Sequence, residues 1–204
     1  GVEIPATHNG LGYNNLIFMS LLLAKMQASA DGNYMKRQAK LFSLLAIEEP
    51  EAHLHPAMQY QFLDFLNKNR QAHNVTQLIV TTHSPQIVSA VSVDDVICLH
   101  SIDYGKQQSG YPRLLFKDNE EDKLSKAYVQ RYLDATRSDM FFANKLIFVE
   151  GMAEEILIPT FAKYLGFDLA KKHVLVVNMG GRYYNHFIKL FDSRECWGIN
   201  KKVA

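Results

Sequence analysis

The chain has 204 residues, a formal net charge of +1, 48% apolar residues and 21% charged residues. That composition is ordinary for a folded α/β protein and excludes a disordered, collagen-like or cysteine-stapled chain. It also excludes a global basic field, so any contact with nucleic acid has to come from local patches. The first element in chain order is His8-Asn9-Gly10-Leu11-Gly12-Tyr13-Asn14-Asn15-Leu16, a glycine-rich loop running into an apolar helix predicted over 16–26. Backbone amides of such a loop, aimed by a helix N-terminus, suit a phosphate. Two glycines before a helix are equally an ordinary turn. The apolar run at 16–23 is too short to span a bilayer and no signal peptide precedes it, so no membrane partner is expected.

The next element, Leu44-Leu45-Ala46-Ile47-Glu48-Glu49-Pro50-Glu51, is an apolar run that stops at two adjacent carboxylates and a proline. Such a run reads as a strand buried on both faces of a parallel sheet. Acids at its carboxyl end stand in the crevice where open α/β sheets bind ligands. One of them can hold Mg²⁺ while its neighbour orients an attacking water. Met58, Phe62, Phe65 and Leu66 then recur at helical spacing, and Gln77-Leu78-Ile79-Val80-Thr81 is a second strand ending at Thr82-His83-Ser84-Pro85. This β-α-β unit places Glu48, Glu49 and His83 at one sheet edge. His53 and His55 have zinc-like spacing but no cysteine partners.

Residues 45–56 resemble the Walker B motif and D-loop of ABC-type ATPases, and 81–85 resemble their switch histidine. The wording E-E-P-E-A-H-L-H-P is most similar to the OLD (overcoming lysogenisation defect) branch, which includes the Gabija-type anti-phage nucleases. The resemblance implies that Glu48 is the magnesium-associated acid, Glu49 the general base and His83 the γ-phosphate sensor. It also implies that Gly10, Gly12 and Asn14 belong to a signature-like loop closing on ATP held by an opposite protomer. No G-x-x-x-x-G-K-[ST] occurs in the chain, and ATP binding by such a head needs that lysine and its phosphate cradle. The sequence is therefore read as an internal piece of a longer protein, with a split protein as the alternative. It is not expected to hydrolyse ATP unaided.

Residues 96–100 and 113–116 flank a polar turn at 104–110 and are expected to form a β-hairpin closing the ATPase half. Leu124, Tyr128, Tyr132 and Leu133 mark an amphipathic connecting helix. Lys145-Leu146-Ile147-Phe148-Val149-Glu150-Gly151 is another buried-strand pattern ending in an acid and a glycine, with Glu154 four residues on. Ile156, Leu157, Phe161 and Leu165 give a helix face, Gly166 is its expected C-terminal cap, and Pro159 is expected to kink it. Another strand at 173–178 ends at Met179-Gly180-Gly181.

This third of the chain resembles the start of a Toprim domain of the OLD type. In that family the glutamates matching Glu150 and Glu154 hold divalent metal at a DNA-cleaving site, together with a later Asp-x-Asp strand that residues 201–204 only begin. Asp192 and Glu195 lie nearby without forming that motif. Arg182 is the best-placed DNA contact; Lys36-Arg37-Lys40, Lys171-Lys172 and Lys201-Lys202 are weaker ones. The expected fold class is α/β: the C-terminal half of an ABC-type ATPase domain over 1–116, a linker helix over 117–144, and the N-terminal part of a Toprim domain over 145–204. The expected function is part of an ATP-regulated, divalent-metal-dependent DNA endonuclease, in anti-phage defence or DNA processing. Its cofactors would be Mg²⁺, Mn²⁺ or Ca²⁺ at the Toprim site and ATP with Mg²⁺ at the ATPase site. Its partners would be DNA, ATP and a second copy in a homodimer or higher homo-oligomer paired through the ATPase heads. Two cysteines, Cys98 and Cys196, without pairing or metal spacing fit a reducing cytoplasm. The alternative is a RecF- or SMC-like repair or clamp ATPase without nuclease chemistry, which would leave Glu150 and Glu154 without a task.

Overall fold

A computed structural model describes residues 10–30, 44–71, 77–103, 105–133, 135–181, 183–192, 194 and 197–204. Arg182, Glu195, Cys196 and the Lys36-Arg37-Lys40 patch lie outside the described residues. The chain is α/β and divides into two compact units, Gly1–Ala90 and Val91–Ala204.

The first unit is built on two parallel strands, β1 (Leu44–Glu48) and β2 (Gln77–Thr81), joined through helix α2 (Pro56–Gln71). Leu44 pairs with Gln77 and Glu48 with Thr81. Parallel pairing follows from the crossover, since two strands separated by a helix return in the same direction. Leu45 and Ile47 are buried, whereas Leu44, Ala46 and Glu48 are exposed. Among the described residues, then, the β1–β2 sheet buries one face and not the two expected from its apolar run. On the covered face Phe62, Leu63 and Leu66 of α2 pack with Leu23 of helix α1 (Leu11–Ala30) and Ile87 of the short helix α3 (Pro85–Ser89). Phe65, expected on the buried face, is turned outward, and Leu63 takes its place. The start of α2 follows from His55-Pro56. The imidazole Nδ1 of His55 accepts the Ala57 amide at 3.3 Å, and Pro56 occupies the first turn, where its missing N–H costs nothing.

The second unit opens with an antiparallel hairpin of β3 (Cys98–Asp103) and β4 (Lys106–Gly110). The hairpin is present, but its return strand is the polar stretch expected to be the turn, and Pro112–Leu114 forms a 3₁₀ turn. Gly110 is the buried residue of that strand, and a Cβ there would stand 3.0 Å from the Ile199 side chain, so the close approach and not apolar content distinguishes this register. Helix α4 (Glu120–Tyr132) follows, then the short α5 (Ala135–Ser138). A second parallel sheet has β5 (Lys145–Val149) at its centre, between β6 (Val174–Asn178) and β7 (Lys202–Val203). Helix α6 (Met152–Tyr164) connects β5 to β6, and α7 (Tyr184–Ile188) lies between β6 and β7. Helix α6 continues through Pro159. It closes with Gly166 at φ 81°, whose amide donates to Lys163, while the Phe167 amide donates to Ala162, a Schellman cap. Among the described residues no helix is long and apolar enough to cross a membrane.

Candidate active sites at two sheet edges

In the first unit the carboxyl ends of β1 and β2 place the residues singled out by sequence. Glu48 is the last β1 residue, paired with Thr81. Glu49 follows at φ 42°, and its amide donates to the Thr81 carbonyl at 2.9 Å. A left-handed backbone costs a non-glycine residue roughly 1–2 kcal/mol. Here it turns the side chain out of the ladder and toward the β2 edge, where Glu49 Oε1 lies 3.4 Å from His83 Nε2. Both side chains are solvent-accessible, at 50% and 80%, so the pair is open to a ligand.

Gly10, Gly12 and Asn14 do not line the cleft beside Glu48 and Glu49. Helix α1 starts at Leu11, so Gly12 and Asn14 lie in its first turns and only Gly10 precedes it. This corrects the expected loop: the helix begins five residues before Leu16. Gly12 answers to packing, because a Cβ there would stand 2.4 Å from the His53 carbonyl oxygen. A cleft of 230 Å³ beside it is lined by Asn15, Leu16, Phe18 and Met19 of α1 and by Glu48, Glu49 and Pro50.

The sequence reading gave Glu51 no role, and the structure gives it a well-defined place. Its Oε1 accepts the Thr82 hydroxyl and the His83 amide, each at 2.7 Å. The Ser84 amide donates to Thr82 Oγ1 at 2.9 Å, and the Ser84 hydroxyl donates to Gln59 Oε1 at 2.6 Å. Gln59 Nε2 in turn donates to the Leu54 carbonyl. The available signal was a third acid in E-E-P-E facing a hydroxyl-rich strand end.

In the second unit the site lies at the carboxyl edge of β5, where the chain proceeds to β6 on one side and β7 on the other. Such a switch point leaves a crevice beyond the strand ends. It is a cleft of 310 Å³ lined by Phe148, Val149, Glu150, Tyr184, Ile188, Val203 and Ala204. Glu150 follows β5, and its carbonyl accepts the Gly181 amide at 2.9 Å. Gly180 and Gly181 have φ of 68° and 126°, values that glycine adopts without steric cost. Gly151 caps α6, and Glu154 in the first turn folds back over it, with Oε2 3.0 Å from where a Gly151 Cβ would stand. The helix dipole favours an acid there.

Two carboxylates four residues apart, one before the helix cap and one in the first turn of α6, are oxygen donors of the kind a hydrated divalent cation takes. Among the described residues no group of three or more His, Cys, Asp or Glu side chains comes together. Glu150 and Glu154 are therefore not joined by a third such side chain at this edge. Asp192 is bound instead to Arg194, whose guanidinium at 2.6 Å holds the carboxyl down to about 2. Lys201 is removed from any DNA-facing patch: its ammonium donates to the carbonyls of Met140, Phe141 and Ala143 at 2.9, 2.6 and 2.6 Å.

Comparison with known proteins follows the same division. A family model described as "AAA ATPase domain" matches residues 1–88. Another, "Overcoming lysogenization defect protein-like, TOPRIM domain", matches residues 141–200. The chain is 27% identical to "Endonuclease GajA" of Bacillus cereus (strain HuB5-5), over 94% of this chain and 30% of that protein. It is 22% identical to "OLD nuclease" of Thermus scotoductus over 89% of this chain and 32% of the relative. It is 30% identical to "Septu protein PtuA" of Bacillus thuringiensis over 62% and 31%. The chain thus spans about three tenths of the length of the curated relatives it matches.

Proposed function

Because the chain belongs to the OLD (overcoming lysogenisation defect) family of ATPase–Toprim proteins, we propose that it works as part of an ATP-regulated, divalent-metal-dependent DNA endonuclease in anti-phage defence. The division into an ATPase half (1–116), a connecting segment (117–144) and a Toprim part (145–204) belongs to this proposal. So do pairing of ATPase heads between copies and a cytoplasmic location.

The observation that carries the nuclease reading is the turn from β5 into α6, where Glu150 lines the 310 Å³ cleft and Glu154, four residues on, folds over Gly151. Glu150 and Glu154 would hold the cation there. When bound, Mg²⁺, Mn²⁺ or Ca²⁺ supplies polarisation of a DNA phosphodiester and a more acidic water. The chain's own task is to present two oxygens on one rigid turn, which the Gly181-to-Glu150 hydrogen bond braces from the β6 side. In the ATPase half, Glu49 would orient the attacking water and His83 would meet the γ-phosphate of MgATP, with Glu48 on the magnesium side; the 3.4 Å approach of Glu49 to His83 supports this. Gly10, Gly12 and Asn14 would approach nucleotide held by a second copy.

The test uses the full-length protein that carries this chain. Glu150→Ala is expected to abolish divalent-dependent nicking of supercoiled plasmid while leaving ATP hydrolysis within about twofold. Glu49→Gln is expected to slow hydrolysis by roughly 10²-fold or more, the range for removing a positioned base. Normal nicking by Glu150→Ala would refute the Toprim site and leave the clamp-ATPase reading.

A further inference from the structure

The loop that carries His83 is short. It spans three residues, Thr82 to Ser84, between the end of β2 and the first helical residue Pro85. Pro85 contributes no amide, and the strand ladder stops at Thr81. Glu51, on the turn that follows β1, fills that gap. A single carboxylate oxygen takes both the Thr82 hydroxyl and the His83 amide, and Thr82 passes the restraint on to the Ser84 amide. Among the described residues the other oxygen, Oε2, is buried without a hydrogen-bond partner. Burying an acceptor that makes no bond is unfavourable, which is hard to understand if the side chain served stability alone. The neighbouring Glu49 backbone is held in a left-handed conformation on the same turn. Both ends of the Glu49–His83 approach therefore start from the one turn.

We propose that Glu51 is the positioning residue for His83. It fixes the Thr82–His83 backbone so that the imidazole stands against Glu49, and it links the acid-bearing turn to the histidine loop as one body. The inference rests on the proposed ATPase role of Glu49 and His83 and adds a residue to it. Glu51 touches no reacting atom; it acts through His83. A displaced positioning contact of this kind costs on the order of 10²-fold in rate.

The experiment measures kcat and KM for ATP in the full-length protein carrying Glu51→Ala, Glu51→Gln, Thr82→Val, His83→Ala and the Glu51→Ala/His83→Ala double change. Glu51→Ala is expected to lower kcat at least tenfold with KM within threefold. Glu51→Gln, which keeps an acceptor oxygen for both donors, is expected to restore kcat to within threefold of wild type. In the His83→Ala background Glu51→Ala is expected to change kcat less than twofold, because the group it positions is gone. Equal losses in both backgrounds would overturn the inference and make Glu51 a general structural acid. If Glu51→Ala does not fold, Thr82→Val carries the test, with a loss of kcat that disappears when His83 is alanine. A His83→Ala protein that hydrolyses ATP at the wild-type rate would overturn the reading of His83 itself, and this inference with it.

Discussion

Gly12 shows how one missing methyl decides a packing arrangement. Glycine in a helix costs about 1 kcal/mol relative to alanine, so on propensity alone Gly12→Ala would stabilise α1. The added Cβ would meet the His53 carbonyl oxygen at 2.4 Å and the Leu54 side chain at 3.2 Å. The first obstacle is backbone, in a turn already holding His53 at φ 65°, so it cannot rotate away. Overpacking costs typically 1–3 kcal/mol, which outweighs the propensity gain. Gly12→Ala is therefore expected to lower the melting temperature of the first unit by several degrees, on the order of 4 °C per kcal/mol lost. A rise on differential scanning calorimetry would show that α1 does not sit against the 53–54 turn. Cys98 illustrates the opposite case, a residue whose chemistry burial removes: its thiol is pushed up to about 12, so it is not expected to react with alkylating reagents in the folded chain.

At the scale of elements, α4 is set by its first turn. Asn119 Oδ1 accepts the Asp122 amide at 2.7 Å, and Asp122 Oδ2 accepts the Lys117 amide and Asn119 Nδ2 at 3.0 Å each. Lys189, just after α7, donates to Asp122 Oδ1 at 2.6 Å and ties the two helices together. That ammonium, followed by the bonds from Lys117 and Asn119, holds the Asp122 carboxyl below its ordinary 3.8 although burial opposes it. The same bond raises Lys189 above its ordinary 10.5. A lowered carboxylate contributes stability that is present above its unfolded value and is lost as pH falls through the folded one; a raised lysine contributes below its unfolded value and loses that as pH rises through the folded one. Asp122→Ala is thus expected to destabilise the second unit by about 2 kcal/mol from roughly pH 5 to 9, a gap that closes as the wild type is acidified through the aspartate's titration. A gap independent of pH would mean that Asp122 acts through shape and not charge. The sequence announced this helix well, since Asn119 and three acids precede an amphipathic run. It announced the β5 and β6 strands and the β1–α2–β2 crossover equally well, because apolar runs of strand length bounded by helices allow few other arrangements. It misled where no local pattern exists. Lys106–Gly110 is polar and forms a strand only because Cys98–Asp103 pairs with it. Helix α1 starts at Leu11, and its Gly12 packs closely on the His53–Leu54 turn some forty residues downstream. Glu51 was in view within its motif, yet its task depends on Thr82 and His83, thirty-odd residues away, and only folding brings them together.

At the scale of the whole molecule, the distribution of apolar surface needs an account. Helix α6 has no buried residue, and Ile156, Phe161 and Leu165 remain 62%, 55% and 75% exposed. On α1, Leu11, Tyr13, Phe18 and Leu21 point away from the side that Leu23 buries, at 64%, 59%, 64% and 65% exposure. A helix apolar on every side belongs in an interior, and contiguous apolar patches on a folded surface promote association. Burial of such side chains is worth about 25 cal/mol per Å², a gain that favours association although the cost of immobilising two chains offsets much of it. The 204-residue chain on its own is therefore expected to bind the dye ANS and to run as more than a monomer in light scattering. Ile156→Glu combined with Phe161→Glu is expected to reduce both signals while leaving far-UV circular dichroism unchanged, since neither side chain contributes to a core that holds α6 in place. The same pair in the full-length protein is expected to behave differently if the α6 face is internal there: two buried charges without partners would cost several kcal/mol and lower the melting temperature. A wild-type chain that stays monomeric and dye-free would show that the α6 face is covered within these 204 residues, and the helix would then have to pack differently from the arrangement described.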